Sequence, residues 1–114
     1  MDNRLNDALA FANYRLTLQV QRQNIDARVQ AALLVSYQNA IFKSSLELIS
    51  FVGLRAPRAD QLLVEDNSGN VIQIENPNEF LTTLIGAYDS AMELKQQELH
   101  KLKSARSTAK IVGL

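Results

Sequence analysis

Histidine occurs once, at His100, beside Leu99 and Lys101. That place suits a cation near a helix C-terminus better than a general base, and no second histidine exists to share a metal ion. Paired carboxylates could hold a hard cation or do acid–base work, and the chain offers Glu65/Asp66 and Asp89/Glu93. Solvated surface charge is the simpler reading of both pairs. Asp66-Asn67-Ser68-Gly69-Asn70 is rich in oxygen like a calcium loop, yet Val71 and Ile72 fit strand pairing and no bidentate glutamate follows at the needed offset. The absence of cysteine removes a disulfide framework, a thiolate zinc site and a cysteine nucleophile. Neither a glycine-rich phosphate loop nor a nucleophile elbow nor zinc-ligand spacing is present. We therefore expect no enzyme, no cofactor and no metal site.

Basic residues are the remaining chemistry. Twelve Lys and Arg balance twelve Asp and Glu, so any electrostatic preference must be local. Arg4, Arg15 and Arg22 share one side of an ideal helix and could follow a phosphate backbone, but Asp7 and Asp26 each lie a turn from one of them, as on an ordinary solvated face. After Glu98 the chain carries Lys101, Lys103, Arg106 and Lys110 without an acid, then Ile111-Val112-Gly113-Leu114. Two roles fit this segment. Its cations could complement a helix dipole while residues 108–114 fray as a flexible tail, or Lys103, Arg106, Lys110, Ile111, Val112 and Leu114 could dock on a partner. Residues 55–79, with two basic and five acidic side chains, would attract such a tail between protomers.

The elements that must position these groups are mainly α. Residues 2–52 contain neither glycine nor proline and are rich in alanine, leucine, glutamine and arginine, which predicts one uninterrupted helix, a rod of roughly 75 Å. Gly53 as a left-handed cap, Leu54 packed back over the last turn and Pro57 beyond would end it near Val52. Leu62–Glu65 and Val71–Ile74 flank a five-residue turn-forming loop, predicting a β-hairpin over about 62–75. With the loop unpaired, Val64 faces Ile72 and Leu62 faces Ile74, giving one apolar face for packing. Asn76-Pro77-Asn78-Glu79 supplies an N-cap, a first-turn proline and a capping-box glutamate, so a second helix should run over about 77–107. Leu81, Ile85, Tyr88, Met92, Leu99 and Leu102, with Lys95 as the polar member, make a coiled-coil-like seam. The expected fold is thus two long antiparallel helices joined by the hairpin, a single elongated domain over 1–114.

That fold leaves apolar surface uncovered. A second helix of roughly 45 Å reaches only the C-terminal three-fifths of the first. The overhang carries one stripe of Leu5, Leu9, Ala12, Leu16 and Val20, and nearly opposite it another of Phe11, Leu18, Ile25 and Val29. Two stripes suit a helix sandwiched in a bundle, so we expect a homo-oligomer, dimer or larger, through Leu5, Leu9, Phe11, Leu16, Leu18, Ile25 and Val29. Residues 31–52 point apolar side chains around most of the helix circumference, which strengthens the expectation. A first helix bent at Gln21–Asn24 is the monomeric alternative.

The order of long helix, hairpin and returning helix resembles a β-type prefoldin subunit, a jawed hexameric chaperone whose hairpins form a β-barrel platform. That resemblance implies platform roles for Leu62, Val64, Ile72 and Ile74. Ser45-Leu46-Glu47-Leu48-Ile49-Ser50-Phe51-Val52, the hairpin and Lys103-Ser104-Ala105-Arg106 are similar to small helical accessory and assembly proteins of large contractile-tailed phages. Together we expect a non-enzymatic, self-associating assembly, scaffolding or chaperone-like protein acting on another protein. The alternative is a small regulator or inhibitor binding nucleic acid, or a nucleic-acid enzyme, through Arg15, Arg22, Arg28 and the basic tail; a small ligand between helices is a third. Met1–Ala10 has acids and amides where a signal peptide needs a basic start and an apolar run, and Ala31–Val52 is too interrupted by polar residues for a membrane span. Cytoplasmic residence is expected, in the host if the chain is phage-encoded, with no membrane partner.

Overall fold

A computed structural model describes residues 3–111, with side chains through residue 105. The chain is mainly helical. In order it forms α1 (Asn3–Ala32), β1 (Leu34–Tyr37), β2 (Ala40–Lys43), α2 (Leu46–Arg55), a 3-10 turn (Ala56–Arg58), β3 (Leu62–Glu65), β4 (Val71–Ile74) and α3 (Pro77–Ile111). These elements divide into two compact units, one of residues 1–28 with 94–114 and the other of residues 29–93.

The uninterrupted helix expected over 2–52 is corrected: α1 stops at Ala32 and the chain turns into a first antiparallel hairpin. Burial explains the change. Leu33, Val35, Ala40, Phe42 and Ser44 are buried, while Leu34, Ser36, Ile41 and Lys43 are exposed, the alternation of a half-buried hairpin. The two-residue turn puts Gln38 at φ 49° and Asn39 at φ 62°, the mirror-image turn geometry that matches strand twist. Helix propensity differences of a few tenths of a kcal/mol per residue yield to that apolar face. Ser45 then caps α2, its Oγ accepting from the Leu48 N–H at 3.1 Å.

Gly53 is likewise not the expected cap. It lies inside α2, which continues to Arg55 and closes with the Ala56 N–H donating to the Val52 carbonyl. Leu54 is exposed rather than folded back over the last turn.

The second hairpin has the expected register, with Leu62 opposite Ile74 and Val64 opposite Ile72. Its loop is closed by Asp66, whose Oδ1 accepts from the Ser68 and Asn70 N–H groups at 2.9 and 2.8 Å, and Gly69 takes φ +86°. At the start of α3 the Asn76 Oδ1 accepts from the Glu79 N–H at 3.1 Å, the expected cap.

The unit of residues 29–93 owns the principal core: Val35, Ala40, Phe42, Val52, Ala56, Leu62, Val64, Ile74, Phe80 and Leu84. Phe80 is its hub, with ring centroids 4.8 Å from Phe42, edge-on, and 5.0 Å from Tyr37. Three hydrogen bonds tie the hairpins together. The Gln38 amide donates to the Gln73 carbonyl at 2.8 Å and accepts from the Glu75 N–H at 3.0 Å, and the Asn67 N–H donates to the Ile41 carbonyl at 2.7 Å. In α3 the fully buried positions are Phe80, Leu84 and Ala91, one residue ahead of the expected Leu81, Ile85 and Met92. Small Ala87 and Ala91 on that side admit close packing, whereas Ile85 stays exposed.

In the other unit α1 and α3 are antiparallel neighbours. Their shared groove pairs Gln21 and Ile25 with Leu102 and Ala105, and farther along Arg28 with Glu98.

Candidate interaction surfaces

Two of the acidic side chains, Glu98 and Asp66, are used structurally. Glu98, mostly buried, accepts from Arg28 at 2.8 Å and lies 3.7 Å from Lys101. Such a carboxylate is neutralised by its own neighbours. Asp66 is spent on its turn. Among the described residues no group of three or more His, Cys, Asp or Glu side chains could hold a metal ion. His100 is exposed on α3.

Among the described residues, Tyr37 has a perturbed ionisation. Burial pushes its phenol above the ordinary value, and the Glu79 carboxylate, 3.4 Å from the hydroxyl, raises it further by its charge and by accepting its proton. The Asn76 carbonyl stands 3.5 Å away, so the phenol spans the first turn of α3. This arrangement ties β1 to the start of α3.

The apolar surface is more informative. Of the expected oligomer residues, Leu5, Leu9, Phe11 and Leu16 are 53%, 54%, 60% and 59% exposed, Leu18 is half-buried, and Ile25 and Val29 are buried within the chain. α1 therefore has two different sides. Ile25 and Arg28 stand beside α3, and Tyr14 and Leu18, on the same side of α1, are half-buried, while Leu5, Leu9, Ala12, Leu16 and Val20 lie roughly opposite and are exposed. Phe11 belongs to the first series yet is exposed, and the Arg15 guanidinium stands 5.9 Å from its ring centroid.

For the hairpin, Leu62, Val64 and Ile74 are buried in the core and Ile72 is packed against it. Of the docking residues, Lys103 is exposed; the side chains of Arg106, Lys110 and Ile111, together with Val112 and Leu114, lie outside the described residues. Arg28, a member of the nucleic-acid set, is engaged by Glu98, whereas Arg15 and Arg22 are exposed on α1.

Residues 31–52 give a different surface from the one expected. The hairpin and α2 bury much of their apolar content, so it no longer requires a neighbouring helix, but Leu34, Ile41, Leu46, Leu54, Leu63 and Val71 emerge on the surface of the second unit. Period-two alternation from Leu33 to Tyr37 was the signal that could have found Leu34 and Ile41. A solvent-open groove of about 510 Å³ between α1 and α3 has Ile25 and Leu102 among its lining residues, with Arg28, Glu98 and Lys101 beside them. No helix among the described residues is long and apolar enough to cross a membrane.

No protein-family model, curated protein or solved structure matches the chain.

Proposed function

We propose that the chain is a non-enzymatic, self-associating assembly, scaffolding or chaperone-like protein that works through protein–protein contacts. The observation that carries this reading is the uncovered apolar surface of α1, where Leu5, Leu9, Phe11, Leu16 and Val20 remain about half exposed or more, while only Leu18, Ile25 and Val29 on one side are half-buried or buried within the chain. The packing of α1 against α3 beside Arg28 and Glu98 supports a coiled-coil-like pairing that other copies would extend into a bundle. The helix-flanked hairpins keep the likeness to prefoldin subunits and to phage assembly proteins as part of the proposal, with the host cytoplasm as the setting in the phage case. The basic segment from Lys103 is the proposed docking element for a second protein.

Sedimentation equilibrium of the full chain tests the central claim. A mass above that of one chain at micromolar concentration is expected, falling to one chain in Leu9→Glu/Leu16→Glu with helicity retained. A single-chain mass for the unmodified protein throughout that range would overturn self-association.

A further inference from the structure

We infer that charge directs the self-association proposed above: the unit of residues 1–28 with 94–114 in one copy docks on the unit of residues 29–93 in another. This rests on that proposal and adds which surfaces meet. The zero net charge of the chain hides a separation between its two units. The first brings both ends of the sequence together and holds nine Lys and Arg against four Asp and Glu, a net charge of +5, while the second holds three against eight, a net charge of −5.

Neither unit neutralises itself. Among the described residues the ion pairs lie in the first unit, where Arg28 and Lys101 both serve Glu98, while Arg15, Arg22 and Lys103 stay exposed. The second unit has no ion pair among its described residues. From Ala59 to Glu93 it carries seven acids and no Lys or Arg, and Asp60, Glu65 and Asp89 are exposed.

The apolar surfaces are bordered to match. On α1, Phe11 is 60% exposed, with the Arg15 guanidinium 5.9 Å from its ring centroid. On the second hairpin, Val71 is 66% exposed and its partner across the strands is Glu65. An aromatic ring beside a cation thus has its counterpart in an aliphatic side chain beside a carboxylate, as in an apolar contact with a charged rim.

Charge also selects the occupant. A nucleic acid is attracted by one unit and repelled by the other, which has an equal and opposite net charge, and a basic protein meets the reverse. A second copy carries both signs in equal amount. It answers each unit with its opposite and, being neutral as a whole, is not repelled at long range.

Charge reversal tests the pairing, with sedimentation equilibrium as the readout and helicity as the check on folding. Arg15→Glu/Arg22→Glu/Lys103→Glu makes both units acidic, and Asp60→Lys/Glu65→Lys/Asp89→Lys makes both basic. Each protein alone should associate at least tenfold more weakly than the unmodified chain. An equimolar mixture should form a complex containing both, since the acidic unit of one still meets the basic unit of the other. A mixture that stays at single-chain mass overturns the inference, as does either protein associating as strongly as the unmodified chain. Association of the unmodified chain should also weaken at least tenfold from about 0.1 to 1 M sodium chloride, as the Debye length falls from roughly 10 to 3 Å. Association that holds or strengthens with salt keeps self-association and overturns its direction by charge, whereas a single-chain mass at low salt overturns both. Binding of a DNA duplex at lower concentration than self-association would assign the basic unit to phosphate and overturn the inference.

Discussion

Ser44 is fully buried, and its hydroxyl has no hydrogen-bond partner. Its backbone N–H does bond, to the Leu33 carbonyl at 2.7 Å, extending the ladder of the first hairpin. An unsatisfied buried hydroxyl costs roughly 1–3 kcal/mol, while the backbone contact is independent of the side chain. Ser44→Ala should therefore raise stability by about 1 kcal/mol in urea unfolding. Tyr37 makes the opposite kind of prediction, in pH. Its folded-state phenol titrates above the unfolded value near 10, so folding favours the protonated form. The resulting stability is complete below that unfolded value and is lost as pH rises through the folded one. Absorbance titration of the phenolates should show a late-ionising tyrosine that disappears in Tyr37→Phe. In Glu79→Gln it should move part of the way back toward its ordinary value, since burial remains. Unchanged titration in Glu79→Gln would assign the shift to burial alone.

Among the elements, the two hairpins depend on one another through Gln38, whose amide meets both the carbonyl of Gln73 and the N–H of Glu75. Gln38→Ala removes both bonds and should cost about 1–2 kcal/mol, measured as a shift in the urea midpoint without a change in slope. The second hairpin was legible in sequence because its loop carries its own instructions: an aspartate that accepts from two N–H groups and a glycine in the left-handed region. The start of α3 was legible for the same reason, in Asn76, Pro77 and Glu79. The first hairpin was not, since Gln38-Asn39 takes a mirror-image turn without the glycine that usually advertises it. Its strands also sit in a stretch whose alanines, leucines and glutamines favour helix. Large side chains suggest a seam on α3 that lies one residue too late at Leu81, Ile85 and Met92, whereas its Leu102 is buried. The packed side instead uses Phe80 and Leu84 with two alanines. On α1, the two opposed stripes were visible from spacing, but only packing shows that Ile25 is already covered while Leu5, Leu9 and Leu16 are not.

For the whole molecule, the proposed self-association would make stability depend on concentration. Covering half-exposed Leu5, Leu9, Leu16 and Val20 is worth about 1 kcal/mol each, so two copies gain about 8 kcal/mol before an association cost of similar size. On that proposal the balance would leave a modest affinity, and binding between folded copies would stabilise the fold by mass action. The midpoint of thermal unfolding should rise over a hundredfold increase in protein concentration and stay constant in Leu9→Glu/Leu16→Glu, as read by calorimetry. Gln38 has a further meaning at this scale. Among the described residues β4 pairs with β3 alone, so its other edge offers bare peptide groups, close to exposed Val71, to any extended chain that drifts past. A glutamine side chain occupies part of that edge as if it were a short strand. Held there, it keeps an open sheet from serving as a seed, and the Gln38→Ala protein should acquire thioflavin-positive fibrils on agitation sooner than the unmodified chain.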